Sequence, residues 1–229
     1  MIERVRILLA DDHTILRAGL RALLETQPDF TVVGEAEDGR QAVQSAMECR
    51  PDVVLMDVAM PGLNGLEATR QIAKAASAAK VLVLSSYSDE DYVRQALECG
   101  ACGYVLKRTA VADLVSAIRQ AAAGKVFLSP EISKRLLRWP CDHTSRNGLP
   151  SVKPSVRLTA REAEVLQRIA EGATNKGIAA DLGIDIKTVE KHRQRVMDKL
   201  NLHDVASLTR YALAKGIIRN ESIPEPCAL

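Results

Sequence analysis

Four short apolar runs in the first half of the chain end in groups that can do phosphoryl chemistry. Val5-Arg6-Ile7-Leu8-Leu9-Ala10 runs into Asp11-Asp12, Asp52-Val53-Val54-Leu55-Met56 into Asp57, Val81-Leu82-Val83-Leu84 into Ser85-Ser86, and Tyr104-Val105-Leu106 into Lys107. As neighbouring strands of one parallel sheet, all four would end at the crevice where ligands collect in such sheets. Asp11, Asp12 and Asp57 then converge, and close carboxylates resist ionising together unless a cation joins them. A hard divalent ion such as Mg²⁺ meets that need. With the ion holding a phosphate oxygen, Asp57 becomes a carboxylate nucleophile toward phosphorus. Lys107 and Ser85 supply an ammonium and a hydroxyl to the equatorial oxygens, over which the transition-state charge is spread. A strand-end Asp before Pro61-Gly62 could by itself simply open a turn. The company of the other three strand ends favours chemistry.

Positioning such a rim requires strands that alternate with helices. The runs are too short for helices and rich in β-branched residues, and with Thr31-Val32-Val33-Gly34 they make five strands. Ile15, Leu16, Leu20, Leu23 and Leu24 recur at helical spacing after Asp12-His13, and His13 reads as a helix-start residue rather than a metal ligand. Residues 40–49, 64–76, 90–98 behind the acidic cap Asp89-Glu90-Asp91, and 111–123 read as further helices. The alternation predicts an α/β fold, a doubly wound five-stranded parallel sheet covered on both faces with right-handed crossovers.

At 229 residues the chain has room for one large domain or two small ones. Aromatic residues make up only 3%, so the cores must be aliphatic. Residues 1–128 carry 14 basic against 17 acidic residues, a net −3, whereas residues 156–219 carry 12 against 8, a net +4. The basic second half is therefore the candidate for binding a polyanion. No apolar run reaches the ~18–20 residues of a membrane helix, and the expectation is a cytoplasmic protein with no membrane partner. Five scattered cysteines, an odd number, do not make a secreted disulfide framework. Cys99-Gly-Ala-Cys102 lacks the second ligand pair a metal site needs and reads as two small residues flanking a helix-to-strand turn.

A short amphipathic helix is expected between Ser129 and Arg138, with Pro130 in its first turn. Residues 139–156 lack apolar periodicity and hold three prolines. They read as a tether with a reach on the order of 20–25 Å, which lets the basic module dock on the acidic one or swing free, and the expectation is an inhibited, docked state whose release exposes a helix of the basic module. Beyond it the pattern is wholly helical: a capping box at Thr159 and Glu162, a short helix over Asn175–Leu182, a turn at Gly183, a longer helix over Ile186–Leu200, and a last one that Asp204 caps. Two helices joined by a tight glycine turn form a helix-turn-helix. On a wheel of the longer helix, Lys187, Thr188, Lys191, Gln194, Arg195 and Lys199 share the outer arc with a single acid, Asp198. A basic arc is often only a solvated face; as the second helix of a helix-turn-helix it reads as a recognition helix. Val205, Leu208, Ala212 and Leu213 of the last helix offer more apolar surface than a three-helix core needs, and are predicted to form a dimer contact.

Residues 1–125 resemble a CheY-like receiver domain and residues 158–218 a LuxR-type helix-turn-helix; together they resemble a two-component response regulator of the NarL/FixJ class. The resemblance implies a receiver over 1–125, a linker with a short helix over 126–156, an all-α four-helix LuxR-type domain over 157–219 and a tail over 220–229. It implies that Asp57 is the phosphoacceptor, that Asp11, Asp12, Asp57 and the Ala59 carbonyl hold Mg²⁺, and that Ser85, Tyr104 and Lys107 are the switch and phosphate-binding residues. Glu190, Lys191 and Gln194 are then base-edge contacts, and Lys187, Thr188 and Lys199 phosphate contacts. The implied partners are a sensor histidine kinase, double-stranded promoter DNA bound as a homodimer, and RNA polymerase. The chain departs from the family at Arg108, where many receivers have proline, and at Gly177, where the second module usually has Glu.

Other readings fit less well. A haloacid dehalogenase-like enzyme would want a second Asp where Ala59 stands, and a nucleotide-binding α/β enzyme a glycine-rich loop in place of Asp11-Asp12-His13. A receiver that works without phosphorylation would have lost acidic or lysine positions that are all present. The chain is therefore read as a DNA-binding transcription regulator rather than an enzyme.

Overall fold

A computed structural model of the chain describes residues 4–76, 78–88, 90–136 and 158–218. Strands β1 (Val5–Ala10), β2 (Phe30–Ala36), β3 (Val53–Asp57), β4 (Lys80–Ser85) and β5 (Gly103–Leu106) alternate with helices α1 (Thr14–Glu25), α2 (Gly39–Cys49), α3 (Gly65–Ala75), α4 (Glu90–Glu98) and α5 (Val111–Ala122). Period-two alternation sorts the strand residues onto two faces. Ile7, Leu9 and Leu55 pack with Leu24 of α1 and Leu114 and Ile118 of α5, while Leu8, Val54 and Met56 pack with Ala42 of α2 and Ala68 and Ile72 of α3. Ile15 is not in either core and stands 90% exposed. At about 100° per residue it lies roughly half a turn from Leu24, on the outer face of α1.

The strands are all parallel, in the order β2-β1-β3-β4-β5-β6, so the expected five-stranded sheet has a sixth member, β6 (Phe127–Leu128), beside β5. Two residues are too few to show a period, and it is the open edge of β5 that recruits them. The next residue, Ser129, extends the contact: its N–H donates to the Tyr104 carbonyl at 3.0 Å, and its hydroxyl accepts from the Leu106 N–H at 3.1 Å. Helix α6 (Pro130–Leu136) then buries Ile132 against the cluster that holds Tyr92 and Tyr104. Arg108, at the position of departure, donates to both carboxylate oxygens of Glu131 on α6. Residues 127–132, within the span expected as linker, thus pack against the first module. The tether expected over 139–156 and the tail over 220–229 lie outside the described residues.

Register brings the carboxyl ends of the strands level, with Asp57 beside Leu84 and Ser85 beside Leu106. Helix α3 starts hard against the end of β3. The Gly65 N–H donates to the Val58 carbonyl at 2.8 Å, and a Cβ on Gly65 would overlap the Asp57 carbonyl oxygen, so only glycine permits the approach. Asn64 caps that helix by accepting from the Glu67 N–H at 2.9 Å.

The second module is all helical: α7 (Ala160–Ala170), α8 (Asn175–Leu182), α9 (Ile186–Leu200) and α10 (Val205–Ala214). The Thr159–Glu162 capping box forms, and Gly183 ends α8 in the left-handed region at φ 62°. Val165, Leu166, Ile178, Val189, Val196 and Leu208, one or two from each helix, make a single aliphatic core.

Candidate functional site

Strands β1, β3 and β5 place their terminal side chains in one pocket. Asp11 and Asp57 are 2% and 3% exposed, and ligand atoms of Asp11, Asp12, His13 and Asp57 all lie within 4.8 Å of one another. The Lys107 Nζ stands 2.7 Å from Asp11 Oδ2 and 3.0 Å from Asp57 Oδ2. His13 stays exposed at the rim, where its main-chain N–H donates to Asp11 Oδ1 at 2.8 Å and its Nδ1 is 3.1 Å from oxygens of both Asp11 and Asp12. Ala59 is buried two residues beyond Asp57. Ser85 is fully buried; its Oγ accepts from the Tyr87 N–H at 3.1 Å and its carbonyl from the Lys107 N–H at 2.8 Å. The Tyr104 hydroxyl donates to the Tyr87 carbonyl at 2.8 Å. Burial pushes the Tyr104 phenol well above its ordinary range, only partly offset by the Ser85 hydroxyl, so it acts as a hydrogen-bonding neutral group.

These donors suit a hard divalent ion: they are mostly carboxylate oxygens, converge at one point, and already accept one cation, the Lys107 ammonium. One supporting residue left no trace in the apolar pattern. Arg17 is 6% exposed and donates to the Asp11 carbonyl at 2.6 Å, to Glu35 at 2.9 Å and to Glu37 at 2.7 Å, fastening the turn that carries the acidic pair to β2. A basic residue on the inward side of an otherwise amphipathic helix was the signal available for it. Burial raises the thiol pKa values of Cys99 and Cys102, both free thiols, so neither is an activated thiolate.

In the second module Lys187, Glu190, Lys191, Gln194 and Arg195 are exposed along α9, and Thr188 is half-buried. Lys199 is committed elsewhere. Its Nζ sits 2.6 Å from Glu162, which is 2% exposed on α7, so it ties two helices together, and its expected role on a DNA phosphate has an internal competitor. Burial alone would raise the Glu162 carboxyl, but Lys199 and the Thr159 N–H and hydroxyl hold it below its ordinary value. A depressed folded pKa stabilises fully above the ordinary carboxylate value of ~4.3 and ceases to do so as pH falls through the lower folded value. Lys199→Met is therefore expected to cost about 1 kcal/mol at pH 7, reduced by solvent screening of the partly exposed ammonium, and almost nothing at an acidic pH below the folded value of Glu162. Urea midpoints of both proteins at the two pH values test this, and an equal loss at both would assign the effect to packing. Of the predicted dimer residues, Leu208 is fully buried in the module's core and Ala212 is fully buried in the docked chain, leaving Val205, 42% exposed, and half-buried Leu213 near the surface.

Residues 7–119 match the family of response regulator receiver domains, and residues 156–212 the luxR family of bacterial regulatory proteins. The transcriptional regulatory protein LiaR of Bacillus subtilis is 43% identical over 91% of this chain and 96% of its own length. The chain belongs to the response regulators with a LuxR-type DNA-binding domain. The oxygen regulatory protein NreC of Staphylococcus carnosus is 38% identical over 93% of this chain and 99% of its own length. A solved structure of two RcsB dimers bound to two parallel DNAs superposes with a TM-score of 0.57 at 27% identity, covering 93% of this chain and 99% of that one. This response regulator is thus a phosphorylation-regulated, DNA-binding regulator of transcription, and histidine kinases and DNA are the partners of its family. Among the described residues no helix is long and apolar enough to cross a membrane.

The two modules of the response regulator are in contact, through different elements from those the tether suggested. Arg40 of α2 reaches Glu164 at 3.4 Å and the Asp181 carbonyl at 3.1 Å, and Gln167 of α7 and Glu171, which caps that helix, bond to the loop after β3. The Tyr92 hydroxyl donates to the Leu213 carbonyl at 3.0 Å, and Gly216, at φ 60°, lies where a Cβ would overlap the Tyr92 ring. Docking covers α7 and the end of α10 while the outer arc of α9 stays exposed, so the expectation of a hidden recognition helix does not hold.

Proposed function

We propose that Asp57 accepts a phosphoryl group from a partner histidine kinase and that this modification controls binding of α9 to promoter DNA. The Asp11–Lys107–Asp57 constellation at three strand ends supports the reading, in a chain that also exposes a basic helix. An Asp57 oxygen forms the new P–O bond as the P–N bond of a phosphohistidine breaks, and the departing imidazole takes up a proton. Asp11, Asp12, Asp57 and the Ala59 carbonyl would hold Mg²⁺, which supplies positive charge to the phosphoryl oxygens. Lys107 exchanges its carboxylate partner at Asp57 for a phosphoryl oxygen, and Ser85 gives its hydroxyl to another. Tyr104, already bonded beside Ser85, carries that change to the Tyr87 segment. On DNA, Lys191, Gln194 and Glu190 meet base edges, while Lys187 and Thr188 meet phosphates, with Lys199 joining them only if it leaves Glu162. Val205 and Leu213 are the remaining candidates for pairing two copies on two half-sites. The reading places the protein in the cytoplasm, with RNA polymerase within reach of the bound dimer.

Labelled acetyl phosphate with Mg²⁺ is expected to place one phosphoryl group on Asp57 and to raise affinity for a duplex selected from a random pool. Asp57→Asn is expected to lose both effects. Label that persists in that variant, or that forms at full rate in excess chelator, overturns the assignment.

A further inference from the structure

His13 occupies the position just before α1, where a polar side chain ordinarily caps the helix, yet its ring makes no cap bond. The ring goes to the acidic pair instead. Its Nδ1 lies 3.1 Å from Asp11 Oδ1 and 3.1 Å from Asp12 Oδ1, and the His13 main-chain N–H ties the start of α1 to the same Asp11 oxygen. The Lys107 ammonium holds different oxygens, Asp11 Oδ2 and Asp57 Oδ2, so Asp11 offers one oxygen to each neighbour. Around an octahedral ion with bonds of about 2.1 Å, adjacent ligand atoms stand about 3 Å apart. His13 Nδ1 already has that spacing to both aspartates, and a ligand atom of Asp57 completes the group within 4.8 Å. With its proton on Nε2, a neutral imidazole presents a lone pair at Nδ1. The side chain is 52% exposed, so an ion reaches the ring without rearrangement of the rim.

We propose that His13 is a metal ligand through Nδ1 and sets the choice of ion, so that this receiver site takes a first-row transition ion in preference to Mg²⁺. The proposal rests on the reading that Asp11, Asp12 and Asp57 hold a divalent ion. Imidazole is a donor that transition ions bind well, whereas Mg²⁺ favours oxygen donors, dehydrates reluctantly and keeps water in such a position. His13 therefore decides which ion binds rather than whether one binds. With the Ala59 carbonyl it brings the protein donors to five, which leaves an octahedral ion the one position that a phosphoryl oxygen needs. The sequence alone favoured a helix-start role for His13; the absent cap bond and the approach of Nδ1 to both carboxylates argue for ligation.

The full-length chain is titrated by calorimetry with Co²⁺ and with Mg²⁺, and Mg²⁺ is added to the Co²⁺ form to establish that the two compete for one site. The wild type is expected to bind Co²⁺ the tighter. His13→Ala breaks no cap bond, since the ring makes none. It is expected to lose at least about ten-fold in Co²⁺ affinity, a loss that even the outer-shell partners of a metal ligand cause, and much less in Mg²⁺ affinity. Pulsed electron paramagnetic resonance of the Mn²⁺ form reads the donor directly: an imidazole nitrogen coupling is expected in the wild type and none in His13→Ala. A coupling missing from the wild type, or one that persists in the variant, overturns the proposal. Equal losses for both ions would make His13 a support of the acidic pair, and tighter binding of both would make its ring a competing cation. Either result overturns ligation by His13 and spares the metal site. A wild-type chain that binds neither ion overturns the site as well.

Discussion

Lys107→Met is expected to cost about 3–5 kcal/mol of stability in the presence of chelator, with most of that returned by Mg²⁺. Asp11 and Asp57 are almost fully buried, and the Lys107 ammonium bonds to both at 2.7 and 3.0 Å. Removing one partner of a buried ion cluster strands the charges that remain, which costs more than the intact cluster contributes. Methionine keeps the length of the side chain and its packing, so the change isolates the charge. A divalent ion that binds the folded pocket replaces the lost charge and stabilises by mass action. Urea midpoints of wild type and variant, each with chelator and with Mg²⁺, test the expectation. Equal losses in both media would mean that the pocket takes no ion. The variant is also expected to accept label on Asp57 without the gain in DNA affinity, since the group that must follow the phosphoryl oxygen is gone.

Leu208→Ala is expected to remove ~2–5 kcal/mol from the DNA-binding module and with it most DNA binding, whatever the state of dimerisation. The side chain is fully buried in the core with Leu166, Val189 and Val196, and its loss leaves a cavity that helices α7 and α9 cannot collapse without breaking the Glu162–Lys199 tie. Val205→Ala, at a 42% exposed position one turn earlier, is expected to change stability by no more than ~0.5 kcal/mol while weakening pairing on two half-sites. Hydrogen exchange of α7 to α10 reads the first effect and the cooperativity of binding to one-site and two-site duplexes reads the second. Leu208→Ala with unchanged protection but lost cooperativity would put Leu208 on the dimer surface after all.

The positions of Asp57, Asp11, Ser85 and Lys107 were legible because each sits at the end of an apolar run, and parallel register carries all such ends to one rim. The recognition arc of α9 was legible for the same kind of reason, a local period that separates Val189 and Val196 from Lys187 and Lys191. Helix boundaries followed from caps: Thr159, Gly183 and Asp204 act within four residues of where they stand.

What the sequence by itself determined is thus whatever depends on neighbours along the chain: the alternating elements, the caps, and the residues at strand ends. Tertiary structure alone decided which partner each side chain met across long separations. Leu208 and Val205 lie on one amphipathic helix, and only the packing of three other helices makes the first core and the second surface. Lys199 belongs to the basic arc by period, yet a carboxylate 37 residues earlier claims it. β6 has no period to read and exists because β5 has an open edge. Gln167, 103 residues from Asn64, is an ordinary polar position on a helix until the receiver loop closes over it. Periodicity reports which face of an element is apolar; it carries no information on what a polar side chain will find there, because that partner is brought by the fold.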